Sequence, residues 1–329
     1  MKILFIGGTG NISSAVSRLI IKMGYDLWHL SRGIHPAIDG TQQINCDINN
    51  LPEAQRLLAS HHWDVVVNWI AFSPKDVERD FLLFANRTKQ YIFISSASAY
   101  QKPPQQTIIT EVTPLENPYW EYSRQKIACE QLINQLWRDN QFPGTIVRPS
   151  HTYQTVIPLP LGAWNEYTTI DRMKKGKPVV VPGDGTSLWT ITHAEDFAIG
   201  FAGLIGNTQA IGETYHITSD EAIPWNYYYQ MTANALGVEP ILKHIASESI
   251  ISFALQFNGT DLTGTLLGDK SHSAIFDNTK IKKIVPTFQC QIPFKEGIKQ
   301  TLNWFESHPN QQTISSETNA LFDQLIERY

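Results

Sequence analysis

A chain of 329 residues is long enough for one large α/β unit with a lobe attached, and its composition, 42% hydrophobic and 17% charged, excludes a disordered or fibrous protein. A formal net charge of -5 without any large basic block argues against a protein dedicated to nucleic acid. Three widely spaced cysteines, Cys46, Cys129 and Cys290, show neither metal-ligand spacing nor a disulfide framework, so no metal site is expected and a reducing compartment fits. The apolar start breaks at Gly7, too early for a signal peptide core, and no later run approaches the roughly 18 apolar residues of a membrane span. The expectation is a cytoplasmic protein with a small-molecule substrate and neither nucleic acid nor membrane as partner.

The first half alternates short apolar runs with amphipathic stretches, the pattern of a parallel sheet covered by helices. Strands are predicted at Lys2–Ile6, Asp26–Leu30, Asp64–Trp69, Tyr91–Ser95 and Thr145–Arg148. Between the first two, Ile12, Ala15, Val16, Leu19, Ile20 and Met23 recur at helical spacing and Gly24 supplies the stop, which makes a βαβ unit. After about Pro149 the periodicity loosens into "VIPLPLGAW" and "GKPVVVPGDG", as expected where a lobe is built onto a core. Helices follow at Trp225–Leu236 and Phe294–Trp304, and "SHPNQQTISSET" reads as a linker to a last short helix.

The turn "GGTGNIS" after the first strand places Gly7, Gly8, Thr9, Gly10, Asn11 and Ile12 where backbone N–H groups at a helix N-terminus can face a pyrophosphate. A tight turn can need glycine without any ligand, but its place inside a βαβ unit favours a dinucleotide. Ser13 stands where a third glycine would permit close helix–strand packing, and is small enough to serve. The second strand ends in "HLSRG", so Ser31 and Arg32 offer a hydroxyl and a guanidinium instead of a carboxylate, favouring the 2′-phosphate of NADP over NAD. Asp47, with Ile48 beside it, follows a third apolar stretch and can reach the adenine or cap a helix.

In "YWEYSRQKIACEQL", Tyr122 and Lys126 are four apart on a predicted helix and share a face. An ammonium beside a phenol favours the phenolate, which suits proton transfer near neutral pH. "YIFISSASAY" ends a strand with Ser96 and Ser98 at the edge where open α/β sheets place ligands.

These pieces, in this order, resemble the short-chain dehydrogenase/reductase superfamily in its extended, epimerase/dehydratase-like branch. The resemblance runs through "GGTGNIS", "VVNWIA" with Ala71, "SSASAY", Tyr122-xxx-Lys126, "VRPSHTY", "GDGTSLWTITHAEDFA" and "IPFKEGIKQTLNWF". It implies a Ser96–Tyr122–Lys126 catalytic set, hydride exchange with a nicotinamide cofactor, and a homodimer built on the Tyr122 helix and its neighbour. Ile127, Leu132, Ile133, Leu136 and Trp137 give that helix more apolar surface than one sheet face needs.

The expected fold is α/β, a doubly wound parallel Rossmann sheet over residues 1–150, with 179–218 returning to it and a smaller C-terminal α/β substrate lobe from 151–178 and 219–329. There are departures from the pattern. Counting back seven residues from Asp196, the place of a diphosphate-clamping arginine holds Trp189, and His151 stands where an asparagine is common. With Tyr153, Ser98 and Trp164 these point to a more aromatic substrate pocket, so a sugar-like compound without a nucleotide diphosphate is expected to bind best. Arg172, Lys174 and Lys175 remain as charges from another direction, Arg148 is expected in the core, and His193 is expected to be structural. The alternatives are a nucleotide-sugar epimerase or dehydratase that keeps its cofactor bound, and a non-catalytic nucleotide-binding or RNA-binding protein of the same fold.

Overall fold

The computed structural model describes residues 1–329. In chain order the first part holds β1 (Lys2–Ile6), α1 (Asn11–Lys22), β2 (Asp26–Ser31), β3 (Gln42–Asn45), α2 (Leu51–Leu58), β4 (Val65–Asn68), α3 (Pro74–Phe84), β5 (Tyr91–Ile94), β6 (Ile108–Ile109), α4 (Glu121–Asn140) and β7 (Gly144–Pro149). There follow β8 (His151–Tyr153), α5 (Thr168–Lys174), β9 (Val179–Pro182), β10 (Leu188–His193), α6 (Ala194–Ala202), β11 (Thr214–Ile217), β12 (Ala222–Pro224), α7 (Trp225–Leu236), β13 (Leu242–Ile245) and α8 (Ser247–Asn258). A single turn, α9 (Thr263–Thr265), runs into a π-helical turn over Leu266–Lys270. Then come β14 (Ile275–Phe276), α10 (Thr279–Ile284), α11 (Phe294–Ser307) and α12 (Ser316–Arg328).

Seven strands form one parallel sheet in the order β11-β7-β5-β4-β1-β2-β3. The alternation of a strand's side chains decides the layering. Ile3 and Phe5 of β1 pack on the face covered by α1 and α6, where Ala15, Val16, Phe197 and Phe201 lie. Leu4 and Ile6 pack on the other, where Ala54, Val77, Cys129 and Ile133 come from α2, α3 and α4. Both faces are buried, so the strands read as continuous apolar runs. The five predicted strands are all present, with ends moved by at most a residue. The edge strand β3 was not predicted, because "QQIN" exposes three of its four residues and carries no apolar run.

The lobe has its own core, where Tyr153, Ile170, Met173, Val179, Trp189, Trp225 and Phe294 come together. Here the boundaries differ from expectation. β9 pairs with β13 and β10 with β8 and β12, so the chain rejoins the main sheet at α6 and β11 and not from residue 179. Ile281, Val285 and Phe288 also pack back onto the α1/α6 face. Much of the apolar surface of α4 is used by its own sheet: Ile133 is buried there and Leu132 and Leu136 pack against it, while Ile127 is half-buried and Trp137 stays exposed.

Candidate active site

The C-terminal edge of the sheet opens into a cleft of about 710 Å³ lined from the glycine turn to the Tyr122 helix. Gly7, Gly8, Thr9, Gly10, Asn11 and Ile12 form one end, Ser31, Arg32, Asp47 and Ile48 flank it, and Tyr122 and Lys126 close the other. The first-turn N–H groups of α1 have no partner within the helix and point out of its N-terminus, as a dinucleotide phosphate requires. The lining therefore fits a nicotinamide dinucleotide along its whole length.

Several turn residues hold their places for reasons the pattern did not reveal. Gly8 has a φ of 129°, and a Cβ there would lie 2.7 Å from the His29 ring. His29 is wholly buried beneath the turn, bonded through Nε2 to the Ser17 hydroxyl at 3.1 Å, and burial lowers its pKa to about 4. Ser13 accepts a hydrogen bond from the Gly10 N–H at 2.9 Å. The Asn11 amide donates to the Thr152 carbonyl at 2.9 Å and its oxygen accepts from the Thr155 N–H at 2.9 Å, tying the turn to the lobe. Asp47 lines the cleft and also accepts from the Asn49 N–H at 2.9 Å. Ala71 is fully buried behind the cleft wall, and its carbonyl accepts from the Lys126 ammonium at 2.6 Å, so it positions the lysine.

α4 starts at Glu121, so Tyr122 and Lys126 lie in its first two turns and share a face. Lys126 Nζ donates to Ala71 O and, at 2.8 Å, to Ile94 O, and sits 5.7 Å from the centre of the Tyr122 ring. Burial holds its pKa down to about 8. The expectation that the ammonium depresses the phenol is not met. Burial pushes Tyr122 up to about 12, Asp269 adds to the rise, and a hydrogen bond with Ser96 is the influence that lowers it. The ammonium bonds two carbonyls and makes no hydrogen bond to the phenol, which burial holds protonated. Ser96 also bonds Ser98 at 2.9 Å, and Ser98 bonds Ser123 at 2.7 Å.

Beyond Tyr122 lies a second cavity of about 540 Å³ lined by Ser96, Ser98, Trp120, Ser150, His151, Trp164 and Trp189. Tyr122 lines both spaces. His151 is buried with neither ring nitrogen partnered; burial, and after it the Lys270 charge, holds its pKa well below the ordinary value and the ring neutral, and it packs 4.6 Å from Trp164. Trp189 lines the cavity while its indole N–H donates to Lys270 O at 3.1 Å, so it is both core and wall. Tyr153 is a correction: it is fully buried against His193, Phe294 and Gly297, away from the cavity. His193 caps α6 by accepting from the Glu195 N–H at 3.4 Å, and Arg148 is buried against Glu130, both structural as expected.

The charges of the cavity are those the sequence reading missed. Arg172 is buried elsewhere, paired to Asp323 at 2.7 Å, and Lys175 pairs with Asp171; neither they nor Lys174 line the cavity. Lys102, Asp269 and Lys270 do, with Lys270 and Asp269 3.0 Å apart. The argument that a diphosphate would find no cation therefore fails. Lys102 lies two residues beyond the "SSASAY" motif, and that proximity is the one signal in the sequence. Lys270 ends a π-helical turn whose spacing matches neither helix nor strand.

The sequence model described as the NAD dependent epimerase/dehydratase family matches residues 3–218. The chain belongs to that family. Membership makes it an NAD-dependent enzyme, in agreement with the motifs. Among its relatives, the 2'-dehydrokanamycin reductase of Streptomyces kanamyceticus is 26% identical over 72% of this chain and 67% of its own. The chloroplast stem-loop binding protein of 41 kDa b of Arabidopsis thaliana is also 26% identical, over 74% of this chain and 65% of its own. The chain thus spans about two thirds of the length of these relatives. Two solved structures show the family fold, each over 94% of this chain: the UDP-glucuronic acid 4-epimerase of Bacillus cereus with UDP-glucuronic acid and NAD, covered in full (TM-score 0.74, 18% identity), and the dTDP-glucose 4,6-dehydratase of Bacillus anthracis with NAD, 98% covered (TM-score 0.69, 17% identity). No helix of this chain is long and apolar enough to cross a membrane.

Proposed function

We propose that the protein is an NAD(P)-dependent oxidoreductase that acts on a hydroxyl or carbonyl of a sugar-like small molecule through Ser96, Tyr122 and Lys126. The observation that carries this reading is that Tyr122 stands on the wall shared by the dinucleotide cleft and the second cavity. A bound nicotinamide supplies or accepts the hydride. Tyr122 holds the proton at its Oη, Ser96 orients the substrate oxygen beside it, and Lys126, pinned by two backbone carbonyls, fixes the floor between them. A protonated phenol can give its proton to a carbonyl oxygen, and the same group takes it back from an alcohol in the reverse direction. At the end of β2, Ser31 and Arg32 support NADP over NAD, because no carboxylate there opposes a 2′-phosphate.

The names of the solved neighbours support an alternative outcome, an epimerase or dehydratase that regenerates its cofactor at each turnover. One experiment addresses all three points: turnover of the full chain with candidate sugar carbonyl compounds, run with NADPH and with NADH, for the wild type and Tyr122→Phe. Tyr122→Phe should lose about 100- to 10,000-fold in kcat while its cofactor affinity stays. NADPH should be preferred, and consumed mole for mole with product. A retained rate in Tyr122→Phe removes the catalytic assignment, equal use of both cofactors removes the NADP preference, and product without net consumption establishes the regenerating reading.

A further inference from the structure

The second cavity is unusual in its charge. Its lining carries two ammonium groups, Lys102 and Lys270, and one carboxylate, Asp269, while His151 is neutral. Lys102 is 3% exposed and Lys270 5%. Lys270 has a partner, donating to Asp269 at 3.0 Å. Lys102 has no acidic partner in contact; the charges that act on it are Asp269, favourably, and Lys270, unfavourably, and burial holds its pKa below the ordinary lysine value. No protein group bonds the Lys102 ammonium, so an anionic group entering the cavity meets a lysine that no carboxylate neutralises.

The rest of the surroundings are fixed in place. The Lys270 carbonyl accepts the indole N–H groups of both Trp189, at 3.1 Å, and Trp225, at 3.0 Å, so the backbone carrying this lysine is anchored to the lobe core. The Lys102 N–H donates to Glu116 O at 2.8 Å. Two lysines on anchored backbone thus line one chamber, with one positive charge left over after Asp269. That surplus matches a single negative charge; a dianionic phosphate or a diphosphate would leave negative charge uncompensated in a buried space.

We propose that Lys102 and Lys270 form a monoanion subsite that holds a carboxylate of the substrate while its hydroxyl or carbonyl faces Tyr122. The substrate class is then an acidic sugar or related hydroxy acid. The inference rests on the reading of this cavity as the substrate site, and it locates specificity in residues outside the Ser96–Tyr122–Lys126 set.

The test is calorimetric titration of the full chain, with and without NADPH, using D-glucuronate, D-glucose, glucose 6-phosphate and UDP-glucose as probes. D-glucuronate should bind at least tenfold more tightly than D-glucose. Lys102→Met and Lys270→Met should each weaken it by about tenfold to a hundredfold, the range for a hydrogen bond to a charged group, and Lys102→Arg should recover part of the loss. Retained NADPH binding shows that each variant is folded. The inference is overturned if glucuronate does not bind or binds no better than glucose. Unchanged affinity in both methionine variants overturns it too. So does tighter binding of glucose 6-phosphate or UDP-glucose that is lost in Lys102→Met, which would make this a phosphate site. These readouts need no turnover, so failure of the Tyr122 experiment with glucuronate binding intact rejects the catalytic reading and leaves the subsite standing.

Discussion

Lys126 shows how a single buried group carries both position and a pH signature. Its ammonium is 2% exposed as a residue and bonded to two carbonyls, neither of which offers a full negative charge, so burial wins and the folded pKa falls from 10.5 to about 8. Between those pH values the unfolded chain holds the proton that the folded chain has released, so the contribution of this group to stability rises with pH across the window and is smallest below pH 8. Urea unfolding of the wild type and Lys126→Met at pH 7.5 and pH 10.5, both in a Cys129→Ala background because that thiol feels the ammonium, isolates it. The difference should move in favour of the wild type by about 2–3 kcal/mol as pH rises. A difference that stays constant would mean that the ammonium is solvated. The spacing of Tyr122 and Lys126 was legible from four residues of sequence, whereas the direction of their electrostatics was not. That direction is set by burial, which four residues of sequence do not reveal, and the lysine's place is fixed by the carbonyls of Ala71 and Ile94, distant in sequence.

At the scale of elements, α4 is locked to β7 by a buried ion pair. Arg148 Nε donates to Glu130 at 2.9 Å, the guanidinium lies over the Tyr100 ring at 4.7 Å, and Ser95 donates to the same carboxylate. The pair sits under the strand end that presents Ser96. Glu130→Ala would leave Arg148 buried with its charge uncompensated and should cost about 3–5 kcal/mol in chemical denaturation, while the double variant Glu130→Met/Arg148→Met recovers most of it. A loss below about 1 kcal/mol in the single variant would show that water reaches the guanidinium. Elements of this kind explain what sequence could and could not reveal. β1, β4 and β5 announce themselves because both sheet faces are covered, so their residues are almost all apolar, whereas β2 and β7 carry His29, Thr145 and Arg148 among their apolar residues. His151 and Tyr153 are two apart on β8 and share a face of the strand, so alternation does not separate them; Tyr153 packs against His193 and Phe294 further along while His151 stays at the cavity, and nothing in "SHTY" announces it. Lys102 and Lys270 lie in a turn and a π-helical segment, where no periodicity assigns a face.

At the scale of the whole molecule, the homodimer implied by the family resemblance now has a specific surface to test. Leu132, Ile133 and Leu136 are taken by the sheet, which leaves Leu82 of α3, 66% exposed, and Trp137 of α4, 37% exposed, as the apolar groups facing outward. Sedimentation at micromolar concentration should give a dimer that Leu82→Arg dissociates, because a guanidinium buried at a symmetric helix interface meets its own copy. A monomeric wild type would contradict it. A different consequence follows from Trp164, which is half-exposed, packs on His151, and is a wall of the dinucleotide cleft, of the second cavity and of a third chamber of about 360 Å³ reaching Phe322 of α12. Three compartments that share one wall are coupled wherever a ligand displaces that wall. A ligand that shifts the indole in one compartment reshapes the other two, and thermodynamic reciprocity then fixes a single coupling factor between any two occupants, the same whichever of them arrives first.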